Sequence, residues 1–272
     1  MPFLILSVLA RIFSNSCSNV LQKILTKNGV QSSVVNFYTY LGLTLVCTIP
    51  CHTIIITKSI LINILIMGLL GSLGNFFIIK ALSYGELSYL APINSYKPVV
   101  ALIFGVFLLN EVPTILDVLA ILIIILGTFF LSWNNSYWSK AYFLRFIALI
   151  FSGTEAIFIK KVINLTDINT ALFYWAFFGL LFSILFIVGK NLKLNKTSLK
   201  NQLLLIIMVG IMQYTTNYVF SKINVAYALA LFQLSTIFSV FLGINIFKER
   251  GLFRKLIASI IMICGALIII LR

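Results

Sequence analysis

Ten apolar runs of about twenty residues each, joined by short connections, leave this chain almost nothing from which to build a soluble domain. The runs cover Phe3–Leu25, Ser32–Ile49, Ile60–Ser83, Leu87–Asn110, Thr114–Ser132, Tyr142–Ile163, Asn169–Gly189, Leu199–Ser221, Ala226–Phe247 and Leu252–Leu271. A helical crossing of hydrocarbon needs roughly 20 apolar residues, so ten crossings use most of the 272. Lys and Arg number 20, Asp and Glu only 6, and 61% of residues are hydrophobic, whereas soluble domains carry about 25% charge and 45 to 50% apolar residues. The expected fold class is an all-α polytopic membrane protein with ten transmembrane helices.

Self-similarity organises those helices. Glu111 precedes Gly127 by 16 residues in NEVPTILDVLAILIIILG, and Glu249 precedes Gly265 by the same 16 in KERGLFRKLIASIIMICG. NFFIIK from Asn75 matches NYVFSK from Asn217, with Gly68 and Gly210 each seven residues ahead, and Gly105 and Gly243 each stand six before their Glu. IFSNSCSNVLQK from Ile12 aligns with IFSGTEAIFIKK from Ile150 at the offset of the Glu pair. Internal repeats fix the number of structural units, here two copies of five helices: residues 1–132, a connecting loop 133–141, and residues 142–272. Five is odd, so the second copy enters the membrane from the opposite side. Inverted five-helix repeats, with a substrate site near the midplane between them, are an architecture of secondary transporters.

The net charge of +14 lies in short interhelical connections rather than in a basic domain with interleaved aromatics. It therefore reads as membrane topology and not as nucleic-acid binding. The charge bias puts the odd-numbered connections in the cytoplasm, and the even number of spans puts both termini on one side. Trp133, Tyr137, Trp138 and Tyr142 cluster as interfacial aromatics do. Cys17, Cys47, Cys51 and Cys264 are scattered, and the single histidine, His52, gives them no ligand set, so neither metal nor other cofactor is expected. No HExxH, GxSxG or P-loop GxxxxGK[ST] occurs, so an enzyme is not expected and active transport must draw on a gradient or on exchange. The first run lacks the basic start of a signal peptide and is expected to stay as the first helix.

Ionisable side chains at depth are costly and normally face a cavity or one another. Arg11, Lys97 and Glu155 are the three in question. On the first segment Arg11, Asn15, Ser18, Asn19 and Gln22 share one helical face. The eighth does the same with Gly210, Gln213, Tyr214, Asn217 and Ser221, and the third with Gly68, Gly71, Ser72 and Asn75. Asn75 and Asn217 occupy matching places, where packing and substrate contact are equally open readings. In APINSYKPVV, Pro98 should kink the fourth segment and free the carbonyl of Asn94 beside Tyr96 and Lys97. The matching stretch FQLST lacks a proline but offers Gln233. The expected substrate-binding set is therefore Asn15, Asn19, Asn75, Asn94, Tyr96, Lys97, Glu155, Asn217 and Gln233, with Arg11 and Lys97 as cavity cations. Tyr38, Tyr40, Tyr174 and Trp175 are open between cavity walls and interfacial anchors. Two deep cations against one carboxylate favour an anionic or zwitterionic cargo, with Glu155 pairing an ammonium group or coupling proton movement.

PVVALIFGVFLLNE with Gly127, and TIFSVFLGINIFKE with Gly265, resemble the EamA-type branch of the drug/metabolite transporter superfamily. In that family the fourth helix of each repeat ends in a Glu and a Gly-punctuated fifth helix follows. The resemblance covers nearly the whole chain and implies a ten-helix carrier, but no particular substrate, because members move amino acids, nucleotide conjugates, drugs and other metabolites on one fold. It implies cytoplasmic termini, opposite to the charge bias. An exporter of cationic drugs and a lipid flippase are the alternatives on the same fold. The expected partners are a small-molecule substrate and the lipid bilayer, with no nucleic acid. The fifth and tenth segments are open to a homodimer contact or to lipid, and a bacterial inner membrane is the expected location.

Overall fold

The computed structural model describes residues 2–51, 57–97, 99–100, 114–132, 139–223 and 225–271. Among the described residues all regular structure is helical: α1 (Pro2–Lys27), α2 (Ser32–Cys47), α3 (Lys58–Tyr84), α4 (Leu87–Leu90) running into a 3-10 segment (Ala91–Tyr96), α5 (Ile115–Ser132), α6 (Lys140–Leu165), α7 (Ile168–Ile184), α8 (Lys196–Lys222), α9 (Val225–Phe232), α10 (Ser235–Phe247) and α11 (Leu252–Leu271). The starts are chemically marked. Side chains of Thr57, Ser139, Asp167 and Asn195 accept backbone N–H groups from the first turns of α3, α6, α7 and α8, satisfying donors that a helix start leaves unpaired. Gly29 (φ 82) turns the chain out of α1, a left-handed conformation that glycine adopts without steric cost. By length and composition α1, α3 and α8 can each cross a membrane, and α2, α7 and α10 are shorter apolar helices.

Packing exchanges the two repeats. α3 lies along α6, and the matching pair, α1 and α8, packs the same way. Cβ atoms built at Gly71, Gly74 and Gly85 of the α3 stretch would meet Glu155, Ser152 and Ala141 of α6 in turn. Positions rise along α3 as they fall along α6, so the two helices are antiparallel. α5 crosses α11 reciprocally. A Cβ on Gly127 would come within 3.1 Å of the Ala258 carbonyl and meet Met262, while one on Gly265 would stand 2.8 Å from the Ala120 carbonyl and from Ile124. Each contact is the other's image under the offset that pairs Glu111 with Glu249. The fifth and tenth segments thus bury their glycines against each other, and Ile115, Leu119, Leu122 and Leu126 on α5 stay exposed.

Four expectations need correction. The fourth segment is not a continuous α-helix over its described start: the α-helix gives way to a 3-10 stretch at Ala91. Pro92, at the start of the 3-10 stretch, lacks the N–H that an α-helix would use there. The Asn94 carbonyl is not freed either, because it accepts the Lys97 N–H within the tightened turn. The ninth segment, expected to be continuous, breaks at Gln233 and Leu234 between α9 and α10. The seventh ends as α-helix at Ile184, and turns carry the chain on to Gly189. Pro98, Glu111, Gly105, His52, Trp133, Tyr137 and Trp138 lie outside the described residues.

Candidate substrate cavity between the repeats

α1, α3, the end of the 3-10 segment, α6, α7, α8 and α9 enclose a cavity of about 100 Å³. Arg11 and Asn15 reach it from α1, Gly71 and Asn75 from α3, Lys97 from the broken fourth segment, and Ser152 and Glu155 from α6. Trp175 of α7, Gln213 and Thr216 of α8 and Phe232 of α9 complete the polar and aromatic wall. Both repeats contribute. Glycine at position 71 permits the closest approach, because a Cβ there would overlap the Glu155 carboxylate and come within 2.9 Å of Trp175 Nε1.

The three deep ionisable groups converge here without joining in contact pairs. Among the described residues the ion pairs are Lys23 with Glu249 and Lys255 with Glu86, so Arg11, Lys97 and Glu155 are held in other ways. Arg11 Nε donates to Thr216 Oγ1 at 2.6 Å, and its guanidinium lies 4.8 Å from the Phe232 ring centroid, a cation–π contact. Its Nη1 is buried with no hydrogen-bond partner. Trp175 Nε1 donates to Glu155 Oε1 at 2.5 Å. Tyr40 packs beside Trp175 at 4.9 Å between centroids with the rings tilted by 51°, its hydroxyl buried and unpartnered.

The other expected site residues fall in three groups. Asn15 lines the cavity and donates to Ser235 Oγ at 3.0 Å. Asn75 lines it too, but accepts from Gln22 and donates to Asn36 at 2.8 Å, so its amide also stitches α1, α2 and α3. Asn19, Asn94, Tyr96, Asn217 and Gln233 lie off the cavity wall. Asn94 accepts from Arg145, Asn217 accepts from Gln213 and donates to the Ile168 carbonyl, and Gln233 donates to the Leu229 carbonyl. Of the aromatic candidates, Trp175 is on the wall and Tyr40 behind it. Tyr174 is buried against Phe173 and Phe178, and Tyr38 donates to the Leu192 carbonyl at an exposed edge.

Sequence reasoning missed Arg145, Thr216 and Ser152. Arg145 is 4% exposed and grips the broken fourth segment, donating from Nε to the Leu90 carbonyl at 3.3 Å and from Nη2 to Asn94 Oδ1 at 2.7 Å. A signal was present: Arg145, Ser152 and Glu155 are spaced seven and ten apart and share a helical face. Its place near a segment end, where basic residues ordinarily mark topology, hides that role. Lys23 and Lys255 stand near segment ends too, and both are buried and hydrogen-bonded.

The EamA-like transporter family model matches residues 2–133 and again residues 139–271. The chain belongs to the EamA-like transporter family. It is therefore a membrane transporter of the drug/metabolite superfamily built from two family repeats, as the Glu–Gly spacing implied. No curated protein matches its sequence. Solved structures do match: one crystal structure, 15% identical, covers 98% of this chain and 96% of its own with a TM-score of 0.67. At that identity the likeness speaks for the fold alone. In this EamA chain the cavity lies where the repeats face each other, and the glycine spacing that marks the family sits at the α5–α11 crossing.

Proposed function

We propose that this EamA-like protein crosses the membrane ten times as two inverted five-helix repeats and carries a small organic anion or zwitterion by alternating access. The antiparallel α3–α6 pairing, repeated in α1–α8, supports the inversion. Exposed aliphatic rows such as that of α5 support contact with lipid, and a bacterial inner membrane is the location in keeping with the family. The reading rests above all on Arg11, which lines the cavity and whose buried Nη1 has no hydrogen-bond partner. A buried donor left unsatisfied costs about 1 to 3 kcal/mol, more when charged, and an anionic cargo would remove that cost. Lys97 adds a second cation to the same wall. Glu155, positioned by Trp175, takes the ammonium group of a zwitterion or carries a coupled proton.

The cavity volume of about 100 Å³ is below the roughly 300 Å³ at which ligand pockets begin. Admission of cargo therefore requires helices to part, as a carrier demands and a permanently open pore does not. The aromatic wall beside Glu155 favours a second reading, export of an organic cation. A thermal-shift panel of organic anions, amino acids and lipophilic cations, run on the purified protein and on Lys97→Ala, separates the two. Ligand at 100 times its Kd should add about 2.7 kcal/mol of stability. Stabilisation by an anion or zwitterion that disappears in Lys97→Ala is the expected result. Stabilisation by lipophilic cations alone, unchanged in the variant, overturns the anion reading.

A further inference from the structure

The most densely hydrogen-bonded ionic cluster among the described residues lies outside the cavity, where the end of α1 meets the turn between α3 and α4. Glu249, just past the end of α10, reaches across to the other repeat. Its Oε1 accepts the Lys23 ammonium at 2.6 Å and the Leu87 N–H at 2.9 Å, and its Oε2 accepts the Ser88 N–H at 2.8 Å and the Ser88 hydroxyl. One carboxylate thus caps the first N–H groups of α4, donors that a helix start leaves unsatisfied. Lys23 also donates to the Gly85 carbonyl at 2.8 Å. Lys255 of α11 pairs with Glu86 and donates to Ser88 Oγ at 2.7 Å. The Lys23 and Glu249 side chains are 5% and 4% exposed. A Cβ on Gly243 would meet Glu249 at 2.8 Å and the Ser88 nitrogen at 2.9 Å, so α10 closes tightly over the cluster.

This cluster stands at the end of the polar face of α1. Asn15 lines the cavity, buried Asn19 and Gln22 follow, and Lys23 lies eight residues beyond Asn15, about 12 Å along the helix axis. Burial alone would raise the Glu249 carboxyl, but hydrogen bonds from Lys23 and from the Ser88 side chain and backbone outweigh it and hold the group below the usual carboxylate range. A buried ion pair is weak support for stability, because desolvation offsets the attraction, and its best-attested use is as a register or switch element.

The opposite side differs. Lys161 matches Lys23 at the offset that pairs Glu249 with Glu111. The Gly85 that accepts from Lys23 packs on Ala141 at the start of α6, so Lys161, twenty residues on and about 30 Å away along α6, is at the far side. There it is exposed, its ammonium 5.2 Å from the Phe158 ring centroid. Among the described residues the matching lysines of the two repeats thus differ in burial, Lys23 being enclosed in the cluster and Lys161 exposed.

We infer that Lys23, Glu249 and Ser88 form the gate that closes one side of the transport path, and that this latch must open for cargo to pass on that side. The inference rests on the alternating-access reading. It is tested by one-sided thiol labelling, with Asn15→Cys as the cavity probe in a background whose four native cysteines are replaced. A membrane-impermeant maleimide is applied in turn to each face of oriented vesicles, in the parent and in Glu249→Gln, which keeps the shape and an acceptor for one of the two α4 N–H groups but loses the charge that holds Lys23. The expected result is a labelling rate from the Lys23 side at least tenfold higher in Glu249→Gln, with a fall from the opposite side. Equal rates in the two proteins overturn the gate. So does a rise from both sides, which is what loosened packing gives. No cargo is needed, so a Lys97→Ala variant that fails to change ligand stabilisation removes the cargo assignment and leaves the gate standing.

Discussion

The fourth and ninth segments occupy the same place in the two repeats, and both are broken, but by different means. In the first repeat the break is a six-residue 3-10 stretch that begins with Ala91–Pro92. In the second it is a two-residue turn at Gln233 and Leu234, with no proline near it. What they share is support from the first helix of the other repeat. Arg145 of α6 takes the Leu90 carbonyl and the Asn94 side chain. Asn15 and Ser16 of α1 take the Ser235 hydroxyl and carbonyl, the latter at 2.9 Å. Within a bilayer, broken backbone is tolerated only where its polar groups are satisfied by protein or by a water-filled cavity. Pairing between repeats makes the break possible, and proline is one local way of using it. Placed beside the cavity, the breaks bring Lys97 and Phe232 to its wall.

The comparison can be broken most forcefully at Arg145. Arg145→Met removes two hydrogen bonds from a charged donor, each worth about 1.5 to 3 kcal/mol, and should lower unfolding stability by about 3 kcal/mol in a detergent melt. The ligand stabilisation assigned to Lys97 should go with it. A melt within a degree of the parent would mean that the first repeat's break is held by something else. Ser16→Ala tests the corresponding support in the second repeat. It deletes a neutral donor to the Ser235 carbonyl and should cost about 1 kcal/mol, so a loss as large as that of Arg145→Met would remove the distinction between charged and neutral support. Pro92→Ala should do least, below about 1 kcal/mol, because the Leu90 carbonyl stays with Arg145 when an N–H is restored. A clear gain of helix by circular dichroism in that variant would make proline the cause of the break and Arg145 its consequence.

Much of this was legible along the chain. The paired Glu–Gly spacings and the Asn75–Asn217 match are separations in sequence, and the reciprocal contacts of Gly127 and Gly265 follow the offset at which those two glycines align. The depth of Arg11, Lys97 and Glu155 was legible too, since hydropathy on either side of a charge places it in the apolar run. The fates of Asn217 and Gln233 were not. Asn217 stands in the same motif as Asn75 and Gln233 in the stretch that matches the one around Lys97, and only the helix opposite decides whether an amide meets a carbonyl or a cavity.

Sequence alone therefore determined the helical class, the two repeats and the set of polar groups that had to be satisfied away from water, because apolar length and residue spacing are properties of the chain itself. The tertiary structure decided the partners. Glu249 reaches Lys23 across 226 residues and Ser88 across 161, and Arg11 reaches Thr216 across 205. A buried polar side chain takes its role from the groups that packing places within about 3 Å of it, and no local pattern contains that information.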